Sequence, residues 1–287
     1  MGDIKNMITV NNSNNPKYEA LFDDLIGEVF GFSFAPWFKF KLWDKNYESY
    51  SIIKDKKMLA NVCIYKSKII VQGEKVQTIR FGAVATRKDL QGKGLSRCLI
   101  EHIFKIYPNT LALLTANSSV VNFYPRFGFR QVPTFKPEID ILIDNDSTKA
   151  IKLEFDDPFL MKLLYSRNCY SNIVDCLNTQ SIQIFHLLME YQNDIYYLPN
   201  LEVVVVAKQD GNRLFLADVV SNKHIIFEQI TSELPFAGVE IVEFGFSPDW
   251  LGVSPTWIPV KSNDDPFFIR GDWNLPANYC FPIMSET

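Results

Sequence analysis

The chain has 287 residues, 47% of them apolar and 14% aromatic, which is too hydrophobic for a disordered polypeptide and enough for two separate cores. A formal net charge of −4 excludes the global positive field that gathers nucleic acid or anionic lipid. No apolar stretch approaches the roughly 18 residues of a membrane span, and Met1 to Asn6 hold no basic segment leading into an apolar run, so a cytoplasmic protein with neither nucleic acid nor membrane as partner is expected.

In chain order, Asn14 and Asn15 before Pro16 mark a helix start, and Tyr18, Leu21, Phe22, Leu25 and Val29 follow at helical spacing. Seven aromatic residues between Phe30 and Trp43 come next, as core packing or as the wall of a substrate pocket. Residues 50–54, 59–71 and 75–86 read as an antiparallel meander. The period then changes to 3.6, with Leu95, Cys98, Leu99, Ile103 and Ile106 on one stripe that Pro108 stops. Leu111 to Ala116 is a short apolar strand, and strand, helix, strand within about forty residues implies parallel pairing across a right-handed crossover. A helical stretch from Ser118 to Tyr124 precedes Pro125 and Gly128.

The polar run Asp144 to Lys149 is the expected domain boundary. Beyond it, helical patterning continues through Tyr191. Leu201 to Ala207 and Arg213 to Val220 form a hairpin about the turn at 209–212, then a helix near 224–235, a strand from Val239 to Phe246 and a proline-rich tail. Five cysteines without a CxxC pair and three scattered histidines indicate neither a disulfide framework nor a metal site.

Chemistry concentrates where the strand ending Val84-Ala85-Thr86 turns through Gln91-Gly92-Lys93-Gly94 into the helix beginning Leu95-Ser96. Unpaired amides at a helix start, together with the positive end of its dipole, form an anion site. Glycines at 92 and 94 allow positive φ and close approach of an anion. Arg87, Lys88, Lys93 and Arg97 are candidate contacts for outer phosphates. A P-loop requires Ser or Thr after Gly-Lys, where Gly94 stands, and the third glycine of a Rossmann fingerprint is replaced by Arg97.

Read with its flanks, Val84 to Ser96 resembles the cofactor motif of the GNAT (GCN5-related) N-acetyltransferases, Q/R-x-x-G-x-G/A, with Asp89 departing at its first place. Asn117 to Phe129 is similar to the second motif of that family, with Asn117, Tyr124, Arg126, Gly128 and Phe129 in register. The resemblance implies an α/β (α+β) GNAT fold whose central mixed, largely antiparallel sheet is flanked by helices. It assigns residues 1–146 to an acetyl-CoA-binding catalytic domain and 150–287 to a second, smaller, degenerate GNAT-like unit. It further implies acetyl-CoA (coenzyme A) as cosubstrate, with amides of Val84, Ala85 and Thr86 on the pantetheine, those of Gly92, Lys93, Gly94, Leu95 and Ser96, flanked by Gln91, on the pyrophosphate, and Asn117 nearby.

Tyr124 matches the family's general acid toward the departing thiolate, and a phenol suits that role on chemical grounds. A GNAT domain followed by a second α/β unit is also similar to the Eis-type acetyltransferases, shortened by a domain. In those the terminal carboxylate reaches the active site, which would make Thr287 the general base. The expected activity is acetyl transfer to a small-molecule or peptide primary amine by direct attack in a ternary complex. Cys98, on the apolar stripe, is not expected to act as a nucleophile. A non-catalytic acyl-CoA-binding module and a tandem-GNAT aminoacyl or other acyl transferase are the competing readings. The oligomeric state stays open, a homodimer being one option.

Overall fold

The computed structural model describes residues 7–144, 149–261 and 266–287; Met1 to Asn6 and the centre of the expected boundary, 145–148, lie outside them. In chain order the first half contains β1 (Ile8–Asn11), α1 (Pro16–Phe30), α2 (Ala35–Lys39), β2 (Tyr47–Lys54), β3 (Lys57–Val71), β4 (Glu74–Thr86), α3 (Leu95–Ile106), β5 (Leu111–Thr115), β6 (Arg130–Val132) and β7 (Phe135–Ile143). The second contains β8 (Ile151–Lys152), α4 (Pro158–Ser166), β9 (Val174–Leu177), α5 (Gln180–Met189), β10 (Ile195–Leu198), β11 (Val203–Asp210), β12 (Arg213–Val220), α6 (Phe227–Thr231), β13 (Val239–Phe244), β14 (Thr256–Pro259) and β15 (Phe267–Arg270). No helix among the described residues is long and apolar enough to cross a membrane.

The local signals act as expected where they are strong. Asn15 is extended and its side chain accepts from the Tyr18 amide at 3.3 Å, Glu19 returns the bond to the Asn15 amide at 2.9 Å, and Gly31 ends α1 at φ 79. On α3 the buried stripe is Leu95, Leu99, Ile100 and Ile103. Leu95, Leu99 and Ile103 are thus as expected, while Ile100 joins them, Cys98 is only half-buried and Ile106 is exposed.

One sheet has the order β1-β2-β3-β4-β5-β15-β6, with β9 also paired to β3. Within it β4 and β5 are parallel, and their register covers only Thr78–Arg80 against Leu111–Leu113. Beyond that the strands part. The cause is local: β4 carries a bulge where Cys63 faces Gly82 and Asn61 faces Ala85, with Ala83 at φ 45. An extra residue kinks the strand that carries it.

The other sheet has the order β14-β7-β13-β12-β11-β10-β8. It repeats the motif of the first: the β11–β12 hairpin leads through α6 to β13, which runs parallel to β12 over Arg213–Leu216 against Ile241–Phe244 only. The tail enters this second cleft. Ile283 donates its amide to the Gly245 carbonyl at 2.8 Å, and a Cβ on Gly245 would meet Ile283 Cγ2 at 2.7 Å. The five-residue α6 replaces the twelve-residue helix expected near 224–235, and no glycine turn precedes it.

The sheets do not divide at the polar run near residue 146. β7 belongs to the second sheet, while β9 and β15 from the second half complete the first. β15 lies between β5 and β6, with Phe267, Phe268 and Ile269 buried in two cores. Arg270 behind it stacks on Phe104, 3.8 Å from the ring centroid, and donates to the Phe127 carbonyl at 3.0 Å, so Arg270-Gly271-Asp272 is a structural corner. A chain ending at residue 144 would lose the partner of β5 and β6. Such a fragment is expected to show no cooperative thermal transition by circular dichroism where the full chain does, and Phe268→Ala in the full chain to cost about 3–5 kcal/mol in chemical denaturation.

Candidate active site

The turn from β4 into α3 has the geometry of an anion cradle. Gly92 and Gly94 sit at φ 77 and 82, with open space where a Cβ would point. Gly94 is the N-cap, no side chain caps the helix, and the first helical bond runs from the Cys98 amide to the Gly94 carbonyl at 3.0 Å. The amides of Leu95, Ser96 and Arg97 therefore face outward without intrahelical partners. Ser96 Oγ lies 2.6 Å from Thr86 Oγ1, and Gln91 Nε2 donates to the Thr86 carbonyl at 3.4 Å, tying the helix start to the strand end.

Of the four basic residues around the turn, Arg87 does not face the cradle. Its buried guanidinium is paired with Asp24 and Glu28 of α1, and its Nε donates to the Met58 carbonyl at 2.8 Å. Lys88, Lys93 and Arg97 remain beside the turn. A buried cation has to be paired, and α1 supplies the pairing carboxylates from far along the chain.

Past Arg80 no ladder pairing joins β4 to β5 among the described residues. The Arg87 amide donates to the Leu59 carbonyl at 3.0 Å with Thr86 opposite Ala60, so strand alternation turns the amides of Thr86 and Val84 toward the open edge and that of Ala85 toward β3. Asn117, just after β5, accepts from the Ser119 amide at 2.9 Å. Its side-chain nitrogen makes no hydrogen bond among the described residues.

Tyr124 opens a short 3-10 turn and is 6% exposed, packed against Phe123, Phe129 and Phe268 on the α3 side of the sheet. Burial pushes its phenol up to about 12, so it keeps its proton at neutral pH. It is not part of the wall of the cavity described next.

A cavity of about 380 Å³ opens at the mouth of the splay, with Ala83 on one side and Thr115, Ala116 and Asn117 on the other. Its remaining wall comes from three places: Phe30, Phe32, Phe34 and Trp37 around α2; Ser181, Phe185, His186 and Glu190 of α5 and its end; and Glu286 and Thr287. The aromatic segment is thus both core and wall. Trp37 and Phe34 are buried while Phe30 and Phe32 are 47% and 41% exposed. Phe34 stacks on Phe185 with centroids 5.0 Å apart, and Trp37 Nε1 donates to the Ser181 carbonyl at 3.2 Å, which locks the second half onto the first.

The tail is held at this mouth by groups that sequence patterns did not single out. Arg80, 3% exposed, donates from Nη1 to the Ser285 carbonyl at 2.5 Å, and its Nη2 has no hydrogen-bond partner among the described residues. Thr179 Oγ1 lies 2.9 Å from Ser285 Oγ. His186 places Nε2 2.9 Å from the Glu286 carbonyl and Nδ1 3.0 Å from Glu190 Oε1. Thr287 Oγ1 donates to the Phe81 carbonyl at 3.0 Å, and a Cβ on Gly82 would meet Thr287 Cβ at 2.8 Å. The only signal in the sequence was the His186, Glu190 spacing of four on a helix.

An anion cradle, a strand edge opened by splay and a cavity at its mouth thus lie together on the first sheet. Residues 14–132 match the sequence model of the Acetyltransferase (GNAT) domain. No curated protein matches the chain by sequence. Among solved structures, a conserved protein of unknown function from Enterococcus faecalis V583, titled "Probable N-Acyltransferase", aligns with TM-score 0.58 at 13% identity over 92% of this chain and 72% of its own. Eis1 from Mycobacterium abscessus aligns with TM-score 0.55 at 12% identity, covering 91% and 73%. A GCN5-related N-acetyltransferase from Anabaena variabilis aligns with TM-score 0.55 at 14% identity, covering 92% and 72%. At these identities the likeness is one of fold, and it extends over both sheets.

The hydrogen bond from His186 holds the Glu190 carboxyl below its ordinary value of 4.5, against the opposing effect of burial. A depressed carboxyl contributes stability above the unfolded value and loses it as pH falls through the folded one. Glu190→Gln is therefore expected to lower the melting temperature at pH 7, with the difference from wild type closing as the pH falls below the ordinary carboxyl value of 4.5, as a pH series of thermal melts would read.

Proposed function

We propose that the protein transfers an acetyl group from acetyl-CoA to a primary amine within a ternary complex. The observation that supports this reading is the cavity at the mouth of the β4–β5 splay, which has room for an acceptor beside the strand edge that leads into the anion cradle. The outward amides of Leu95 to Arg97 and the glycine turn hold the pyrophosphate, and the open edge at Val84 and Thr86, with the Asn117 carboxamide, holds the pantetheine arm. Acetyl-CoA supplies an activated acyl carbon as a thioester.

The amine nitrogen forms its bond to that carbon while the bond from carbon to sulfur breaks. Tyr124 donates its phenolic proton to the departing sulfur and is reprotonated from solvent. The proton lost by the amine goes to a carboxylate of the tail; in a chain that ends at Thr287 this is the α-carboxylate of that residue, beside Gly82. Holding amine and thioester together supplies much of the rate. Arg80 and His186 act through the tail as positioning residues.

Coenzyme A is expected to bind in calorimetry and to be released as free thiol when acetyl-CoA meets a suitable amine; binding with no release on any amine would instead support a non-catalytic acyl-CoA module. Tyr124→Phe is expected to lower kcat about a hundredfold, and the wild-type rate to show no loss from phenol ionisation below about pH 11, given its raised value. Gly82→Ala, at a residue without positive φ, is expected to keep the fold and lower kcat by displacing the tail.

A further inference from the structure

The charge and shape of the cavity wall narrow the acceptor, and this step rests on the acyl-transfer reading above. We propose that the acceptor is a primary amine borne on an apolar, ring-sized body that carries no carboxylate of its own.

The charged side chains of the wall are Glu190, Glu286 and His186, with neither Lys nor Arg among them. Both nitrogens of His186 are engaged, one with Glu190 and one with the Glu286 carbonyl, so His186 offers no anchor for an incoming anion. An amine that arrives as an ammonium is drawn by these carboxylates and by the faces of the rings at the rim. An amino acid brings a carboxylate toward the same acidic wall and is repelled.

The rest of the wall is mostly apolar, with Thr115, Asn117, Ser181 and Thr287 as its uncharged polar members apart from the Tyr47 phenol. Phe30 and Phe32 stand at the rim with their rings 6.2 Å apart, and Phe32 leans on Phe34 at 5.3 Å, which is itself fixed by Phe185. Their positions are set before any ligand enters, which limits the entropy lost on binding. A polyhydroxylated body would press hydroxyls against these rings without partners, at a cost in affinity. A cavity of about 380 Å³ lies within the range that encloses a small ligand.

The matched pair 2-phenylethylamine and phenylalanine differs by one carboxylate and tests the electrostatic part. Spermidine tests the apolar part. With the full chain and acetyl-CoA, thiol release is expected to show kcat/KM for 2-phenylethylamine at least about tenfold above spermidine and about a hundredfold above phenylalanine. Phe32→Ala, at an exposed ring, is expected to raise KM for 2-phenylethylamine roughly tenfold with kcat kept, the mark of lost uniform binding. Preference for spermidine or phenylalanine, or a Phe32→Ala effect equal on all three, would overturn the assignment while leaving acyl transfer in place. Calorimetry separates the two levels: saturable binding of 2-phenylethylamine without thiol release supports the pocket and removes the transferase reading. Absence of that binding removes the pocket assignment.

Discussion

The parallel pairing of β4 with β5 stops after three residue pairs, and the organisation of the site follows from that stop. Two adjacent strands normally satisfy each other's amides. Here a bulge at Ala83 bends β4 away, and its edge is left with outward amides just before a helix whose first turn is also unpaired. Donors on strand and helix thus converge along one line. Gly92 and Gly94 keep that line open, because positive φ lets the turn close without side chains over it.

A splayed sheet has an exposed interior, and the second half of the chain deals with it. Its own cleft, between β12 and β13, is entered by Ile283 of the tail. The same tail then continues across Arg80, Thr179 and His186 to Gly82, at the mouth of the first cleft. A segment that enters the cleft of one repeat therefore forms a wall of the other. Exchange of β7, β9 and β15 between the sheets makes this arrangement rigid, since neither sheet is complete without strands from the other half.

Much of the first half was legible in the sequence because its signals are local. The α1 cap at Asn15, the hairpins, the glycine turn and the stripe of α3 each depend on residues within a few positions of one another. The short strands β1, β9, β10, β14 and β15 were not legible. Each has four residues and, except for β10, which pairs with the adjacent β11, takes its pairing from a distant segment, so little in its own window specifies it. For the same reason composition could not show that β7 joins the second sheet and β9 and β15 the first, since only pairing decides which sheet a strand joins. Arg87 looked like a phosphate ligand for being basic beside the turn, and Asp24 and Glu28, some sixty positions earlier, claim it.

By itself, then, the sequence determined the glycine turn, the strand that leads into it and the helix that follows, since backbone conformation is a short-range property. Tertiary structure decided what faces that turn: the burial that raises the Tyr124 phenol, the aromatic and acidic cavity, and the tail clamped by Arg80 and His186. These depend on side chains from both halves meeting across two interlocked sheets, and burial and charge are properties of that meeting rather than of any one segment.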